Sequence, residues 1–118
     1  MKNLVFVFGS NLSGIHGKGA ALYAKKHFGA KQGEGVGRTG NAYALPTKDF
    51  VLKSLSLDAI GRHLQDLVDY ATENSEDLFL LTPIGTGLAG YTKSQIWSLL
   101  KKLELPSNLV LTSSWIKD

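Results

Sequence analysis

Two glycine-bearing stretches carry the most chemistry in this sequence. The first runs from Gly9 through Ser10 and Asn11 to Gly14, Gly17, Lys18, Gly19 and Ala20. The second is Ile84-Gly85-Thr86-Gly87-Leu88-Ala89-Gly90-Tyr91. Glycine lets backbone N–H groups converge on phosphate oxygens with no Cβ in the way. A helix opening directly after such a loop adds the positive end of its dipole. Two loops of this kind look like a two-sided clamp for a pyrophosphate. Glycines after strands also serve tight turns alone, and each loop taken singly is open to that reading.

Neither common nucleotide motif fits. Residues 85–90 are literally G-x-G-x-x-G, the Rossmann signature. That fold needs a further strand and an acidic residue about 20 positions on, to hold a ribose. Here the following strand ends Leu111-Thr112-Ser113-Ser114, and no acid follows that strand until Asp118. The first loop fails as a Walker motif, because Leu12 stands where the first glycine belongs and Gly19 replaces the Ser or Thr.

The elements that must position these loops follow from periodicity. Leu4 to Phe8 is a continuous apolar run ended by Gly9, which suits a strand buried on both faces. A helix is predicted from Gly19 to Phe28, stopped by Gly29. Gly29, Gly33, Gly35, Gly37 and Gly40 point to a loop or bulged hairpin, in which Glu34 and Arg38 could be mobile. Asn41 to Leu45 reads as a short strand closed by Pro46. Leu57, Ile60, Leu64, Leu67, Val68 and Ala71 recur at helical spacing, with Ser56 as N-cap and Asp58 in the first turn. Leu78 to Ile84 is a second buried strand. Thr92 and Gln95 have capping-box spacing ahead of the apolar stripe Ile96, Leu99, Leu100 and Leu103. Leu109 to Thr112 is the last strand. Alternating strands and helices imply an α/β fold with a mainly parallel sheet and helices on both faces. Loops at the carboxyl ends of such strands are where ligands bind.

Composition narrows the function. A chain of 118 residues, 43% of them hydrophobic, is expected to form one domain with a real core and no need of a metal or disulfide staple. The absence of cysteine excludes a disulfide framework, a thiol nucleophile and a thiolate metal site. His16, His27 and His63 form no metal-ligand pattern, and no metal or cofactor is expected. The net charge of +3 favours an anionic ligand but falls short of a nucleic-acid-binding tail. The apolar run near the N-terminus, about six residues, is too short for a signal-peptide core or a membrane span, so a soluble cytoplasmic protein is expected.

Four stretches, in order along the chain, resemble the macro domain family. They are Asn11 to Ala20, the segment GKGAALYAKKHFG from Gly17 to Gly29, GEGVGRTGNAYALPTKD from Gly33 to Asp49, and Pro83 to Tyr91. The second is similar to the branch of ADP-ribosyl glycohydrolases that use a lysine. The resemblance implies a three-layer α/β/α domain with a mainly parallel, mixed sheet. It implies a pocket for ADP-ribose or a related ADP-ribosyl nucleotide. Asn11 would approach the distal ribose, with Gly17, Lys18 and Gly19 lining the same end. Gly85, Thr86, Gly87 and Leu88 would wrap the diphosphate with their amides. Tyr91 would lie against the distal ribose. Gly9, Ser10, Ala20, Pro46, Thr47, Ile84, Ala89 and Gly90 complete the expected lining.

Lys25 stands where the lysine-using branch places its nucleophile, which needs a neutral amine. Lys18 and Lys26 would supply positive neighbours. On the other reading, Lys25 and Lys26 form an exposed helix face. His16 is placed as a general base or a hydroxyl partner, or as a loop residue without chemistry. Asp49, at a strand end, could reach the site. Trp97 and Trp115 are expected to pack, and His27 and His63 to lie on the surface. The sequence departs from the family in three ways. Residues 1–3 hold no aspartate to read adenine. Ala89-Gly90 lacks the acid of the lysine-using branch. Asn11-Leu12-Ser13 mixes features of two branches. The expected function is therefore binding of such a nucleotide, with hydrolysis of an ADP-ribosyl linkage on a protein, nucleic acid or metabolite as one outcome. The alternatives are a reader or sequestering protein, and an assembly module with no nucleotide. No membrane partner is expected, and a homodimer would cover any exposed sheet edge or face.

Overall fold

The computed structural model describes residues 2–116. Five strands form one sheet, β1 (Leu4–Asn11), β2 (Gly37–Thr39), β3 (Ala42–Lys48), β4 (Leu78–Leu81) and β5 (Leu109–Leu111), in the order β2-β3-β1-β4-β5. β1 runs parallel to both β3 and β4, and β4 parallel to β5; only β2 is antiparallel, to β3. The loops leaving β1, β3 and β4 therefore emerge at the same end of the sheet.

β1 is central and alternates its side chains between two cores. Val5 and Val7 face one side, packed with Phe79, Leu81 and the buried stripe of α2 (Leu57–Glu73). Phe8 faces the other, with Ala24, Ala42 and Ala44. α3 (Lys93–Leu100) joins α2 on the first side through Ile96 and Leu100. α1 (Gly19–His27) lies alone on the second side, where alanines let it approach β1 and β3 closely. Phe6 and Phe28 stack at 4.9 Å beside it. The result is the expected α/β/α layering.

Local signals hold where a specific hydrogen bond can form. The Ser56 hydroxyl accepts from the Ala59 amide at 3.1 Å, and Thr92 and Gln95 make a full capping box. Gly29, at φ +80°, turns the chain out of α1. Burial pushes the Tyr43 phenol up to about 12, reinforced by the nearby Asp66 carboxylate.

Three strand boundaries differ from the sequence reading by three residues each. β1 extends to Asn11, past Gly9, because the pairing with β3 continues through Ser10 to a register shift at Asn11. β3 passes through Pro46 to Lys48. β2 ends opposite Ala44, so the missing N–H of Pro46 breaks no β2–β3 bond, and beyond it Thr47 accepts from the Leu55 amide and Lys48 bridges Ser54. β4 stops at Leu81, since Thr82 to Ile84 closes into a turn with the Ile84 amide on the Thr82 carbonyl.

The glycine-rich 30–41 segment is a correction to the expected mobility. Arg38 donates to Asp77 at 2.7 Å, to Asn41 Oδ1 and, through Nε, to the Gly40 carbonyl. This ties β2 to the start of β4 at the end of the sheet opposite the glycine loops. The Arg38 guanidinium, with help from Asn3, holds the Asp77 carboxyl below the ordinary carboxylate range against the opposing effect of burial. A polar recess of about 390 Å³ lies here, lined by Lys2, Asn3, Arg38 and residues 73–77. Its main charged pair is already satisfied.

Candidate functional site: a face of backbone amides

The floor of the site is the carboxyl end of β1. A Cβ on Gly9 would lie 3.4 Å from the Gly85 amide nitrogen and 3.6 Å from both the Ile84 Cα and the Thr47 hydroxyl. The second loop thus packs directly on the strand at Gly9, at ordinary contact distance from a Cβ there. Ser10, Pro46, Thr47, Ile84 and Gly85 are buried beneath the loops. The Thr47 hydroxyl donates to the Ser10 carbonyl at 3.3 Å.

The 11–18 loop is shaped from within. The Asn11 side chain donates to the Ile15 carbonyl at 2.9 Å and accepts from the Ile15 amide at 3.0 Å. Both ends of its amide are thus engaged in holding the loop. Behind it packs the 32–35 segment, backbone on backbone. A Cβ on Gly14 would stand 2.3 Å from the Gly33 carbonyl carbon. The Ser10 hydroxyl donates to the Gly35 carbonyl.

His16 belongs to this joint. Its ring is fully buried, edge-on to Phe8 at 5.2 Å, with Nε2 3.0 Å from the Glu34 carbonyl. A carbonyl only accepts, so Nε2 carries the proton and Nδ1 is left without a partner. The structure does not bring His16 to the loop face. Its visible role is to pin the first loop to the 32–35 segment.

Beyond His16 the loop opens outward. Gly17, Lys18, Gly19 and Ala20 are exposed, and a Cβ on Gly17 or Gly19 would meet nothing within 4 Å. No side chain caps α1, and the first amide to return into the helix is that of Leu22, to the Lys18 carbonyl. The orphan donors of the first turn face solvent.

The 85–90 loop has the same character. Gly85 and Gly90 sit at φ +77° and +85°, which fold the segment back so that the Tyr91 amide reaches the Gly85 carbonyl at 2.9 Å. The Thr86 hydroxyl donates to the Pro83 carbonyl at 2.6 Å. Among the described residues, the amides of Thr86, Gly87, Leu88 and Ala89 have no acceptor. Gly87 has open space around it, and Leu88 is 74% exposed. The Tyr91 hydroxyl donates to the Leu55 carbonyl and its ring packs on the core, so it anchors the loop.

A third segment, the 49–54 turn after β3, joins the two loops. The Ser13 hydroxyl reaches the Phe50 carbonyl at 2.6 Å from one side. On the other, the Ser54 hydroxyl reaches the Ala89 carbonyl at 2.6 Å. Asp49 builds the turn, its Oδ1 accepting from the amides of Val51 and Lys53 at 2.9 Å each. The sequence reading singled out Asp49 but not the apolar triplet it carries. The available signal was three consecutive apolar residues in a connection, where polar residues are the rule.

Lys25 is exposed in the last turn of α1, six residues and about 9 Å of helix rise beyond Gly19. Trp115 packs on the core and donates to the Leu81 carbonyl, whereas Trp97 is 43% exposed. The described residues contain no group of three or more His, Asp or Glu able to hold a metal ion. No helix among them is long and apolar enough to cross a membrane.

No family model matches the sequence, and no curated protein matches it. Among solved structures, the chain is similar to the macrodomain of Mycobacterium tuberculosis DarG. The two share 22% identity over 91% of this chain and 86% of the other, with a TM-score of 0.65. With the parallel core, the flanking helices and the paired glycine loops, this likeness settles the architecture: the chain has the macrodomain fold.

Proposed function

We propose that the loop face binds ADP-ribose or a close ADP-ribosyl relative, with the pyrophosphate held between the 17–20 amides and the 86–89 amides. The observation that carries this reading is the set of unused donors. The amides of residues 86–89 and the uncapped first turn of α1 emerge at the same end of the sheet, joined through the 49–54 turn. Most of these residues are exposed, and a cluster of backbone N–H groups that no protein acceptor occupies, beside a helix N-terminus, suits an anionic guest. Lys18, at the N-cap of α1, adds positive charge beside them. Asn11, Tyr91 and Thr86 shape the loops, and the amides do the binding.

Thermal unfolding with and without ADP-ribose tests this. At 100 times its dissociation constant the ligand adds about 2.7 kcal/mol. An unchanged midpoint with ADP-ribose and with NAD removes the reading. Chromatography of an ADP-ribosylated substrate after incubation then separates a reader, which leaves it intact, from a hydrolase. Lys25 is the residue the family resemblance nominates for hydrolysis. Loss of turnover in Lys25→Ala with binding retained assigns it that role.

A further inference from the structure

We infer that the 49–54 turn is a stacking platform for a planar heteroaromatic base of the ligand, with Phe50 as the stacking residue. This rests on the reading of the loop face as a nucleotide site. Phe50, Val51 and Leu52 are 69%, 71% and 45% exposed. No ring packs against Phe50 among the described residues, although seven ring contacts occur elsewhere.

The turn is held rigidly. Besides the two bonds to Asp49 Oδ1, the Asp49 amide donates to the Lys53 carbonyl at 2.7 Å and the Leu52 amide to the Asp49 carbonyl at 3.2 Å. Leu52 is forced to φ +65°, the only non-glycine described residue with positive φ. A fixed backbone therefore presents an unpartnered ring to solvent.

Place and charge identify the occupant. The turn is bonded to the first loop through Ser13 and to the second through Ser54, so Phe50, with its side chain largely exposed, is carried by the segment between the two loops. Lys48 and Lys53 bracket the triplet in sequence, and the Asp49 carboxylate between them is committed to the turn. A cationic, aromatic edge beside free amides suits a base attached to phosphates. Three residues offer far less than the roughly 800 Å² that each partner contributes to a stable protein interface. One ring on one ring is the contact that fits.

Calorimetric titration of the wild type, Phe50→Ala and Phe50→Trp tests the inference. The ligands are ADP-ribose, base-free ribose 5-diphosphate and an ADP-ribosylated nucleoside. Phe50→Ala weakens a base-bearing ligand by about tenfold, leaves ribose 5-diphosphate unchanged, and is rescued by Phe50→Trp. Weakening of ADP-ribose identifies the base as adenine; weakening of the nucleoside conjugate alone identifies the base beyond the sugar. Equal affinities of wild type and Phe50→Ala for all three ligands overturn the platform and leave the pyrophosphate reading intact. Absence of wild-type binding to any of them overturns both.

Discussion

A Cβ on Gly35 would stand 1.9 Å from the carbonyl oxygen of Asn11. The two backbones touch because the first loop lies directly on the 32–35 segment. Gly35→Ala must part them, and the neighbour is backbone, which cannot rotate aside. The expected cost is about 3 kcal/mol. Gly17→Ala, with open space around it, should stay within about 0.5 kcal/mol of wild type. Urea denaturation of the two variants checks the contrast.

His16 makes the same joint from the other side. His16→Ala leaves a hole beside Phe8 and frees the Glu34 carbonyl, for an expected loss of about 3 kcal/mol. His16→Gln keeps a donor and should lose less. Equal stability of all three proteins in urea would show that the ring is not the pin described here.

Leu52 carries the opposite prediction. Its φ of +65° disfavours a leucine and suits asparagine. Leu52→Asn should therefore raise stability by about 0.5 kcal/mol, read as a higher thermal midpoint. A clear fall would mean that the exposed leucine makes a stabilising contact.

Asp77 links stability to pH. Its native pKa lies below the ordinary 3.8, chiefly through Arg38. Deprotonated Asp77 thus favours the folded state at neutral pH. That contribution is present above 3.8, is lost as pH falls from there through the lowered native value, and is gone below both. Asp77→Asn should flatten the acid limb of a plot of thermal midpoint against pH, taken from neutral pH down to about pH 2. An unchanged limb would contradict the linkage.

Much of this was legible in the chain, for reasons that can be named. α2 announced itself because its apolar residues recur at helical spacing behind a Ser56 cap, both of them local signals. The two loops were legible because glycines followed apolar runs. His16 was not, because residue type and loop position cannot reveal that Gly14 and Gly35 let another segment close over it. Arg38 was misread as mobile because its partner lies 39 positions away and only the sheet order unites them. Pro46 ended the expected strand on a local rule, whereas β2 stops opposite Ala44, so the missing N–H of Pro46 breaks no bond to it. The apolar 50–52 turn went unnoticed because no periodicity marks a three-residue display.

The proposed function has amides of the two glycine loops serve one anionic guest. Amide chemical shifts recorded during an ADP-ribose titration test it residue by residue. The signals of Gly17, Gly19, Thr86, Gly87 and Leu88 should move together along one binding curve, while those of Glu76 and Asp77, at the far end of the sheet, stay still. Motionless loop amides, or shifts confined to the 73–77 recess, would contradict it.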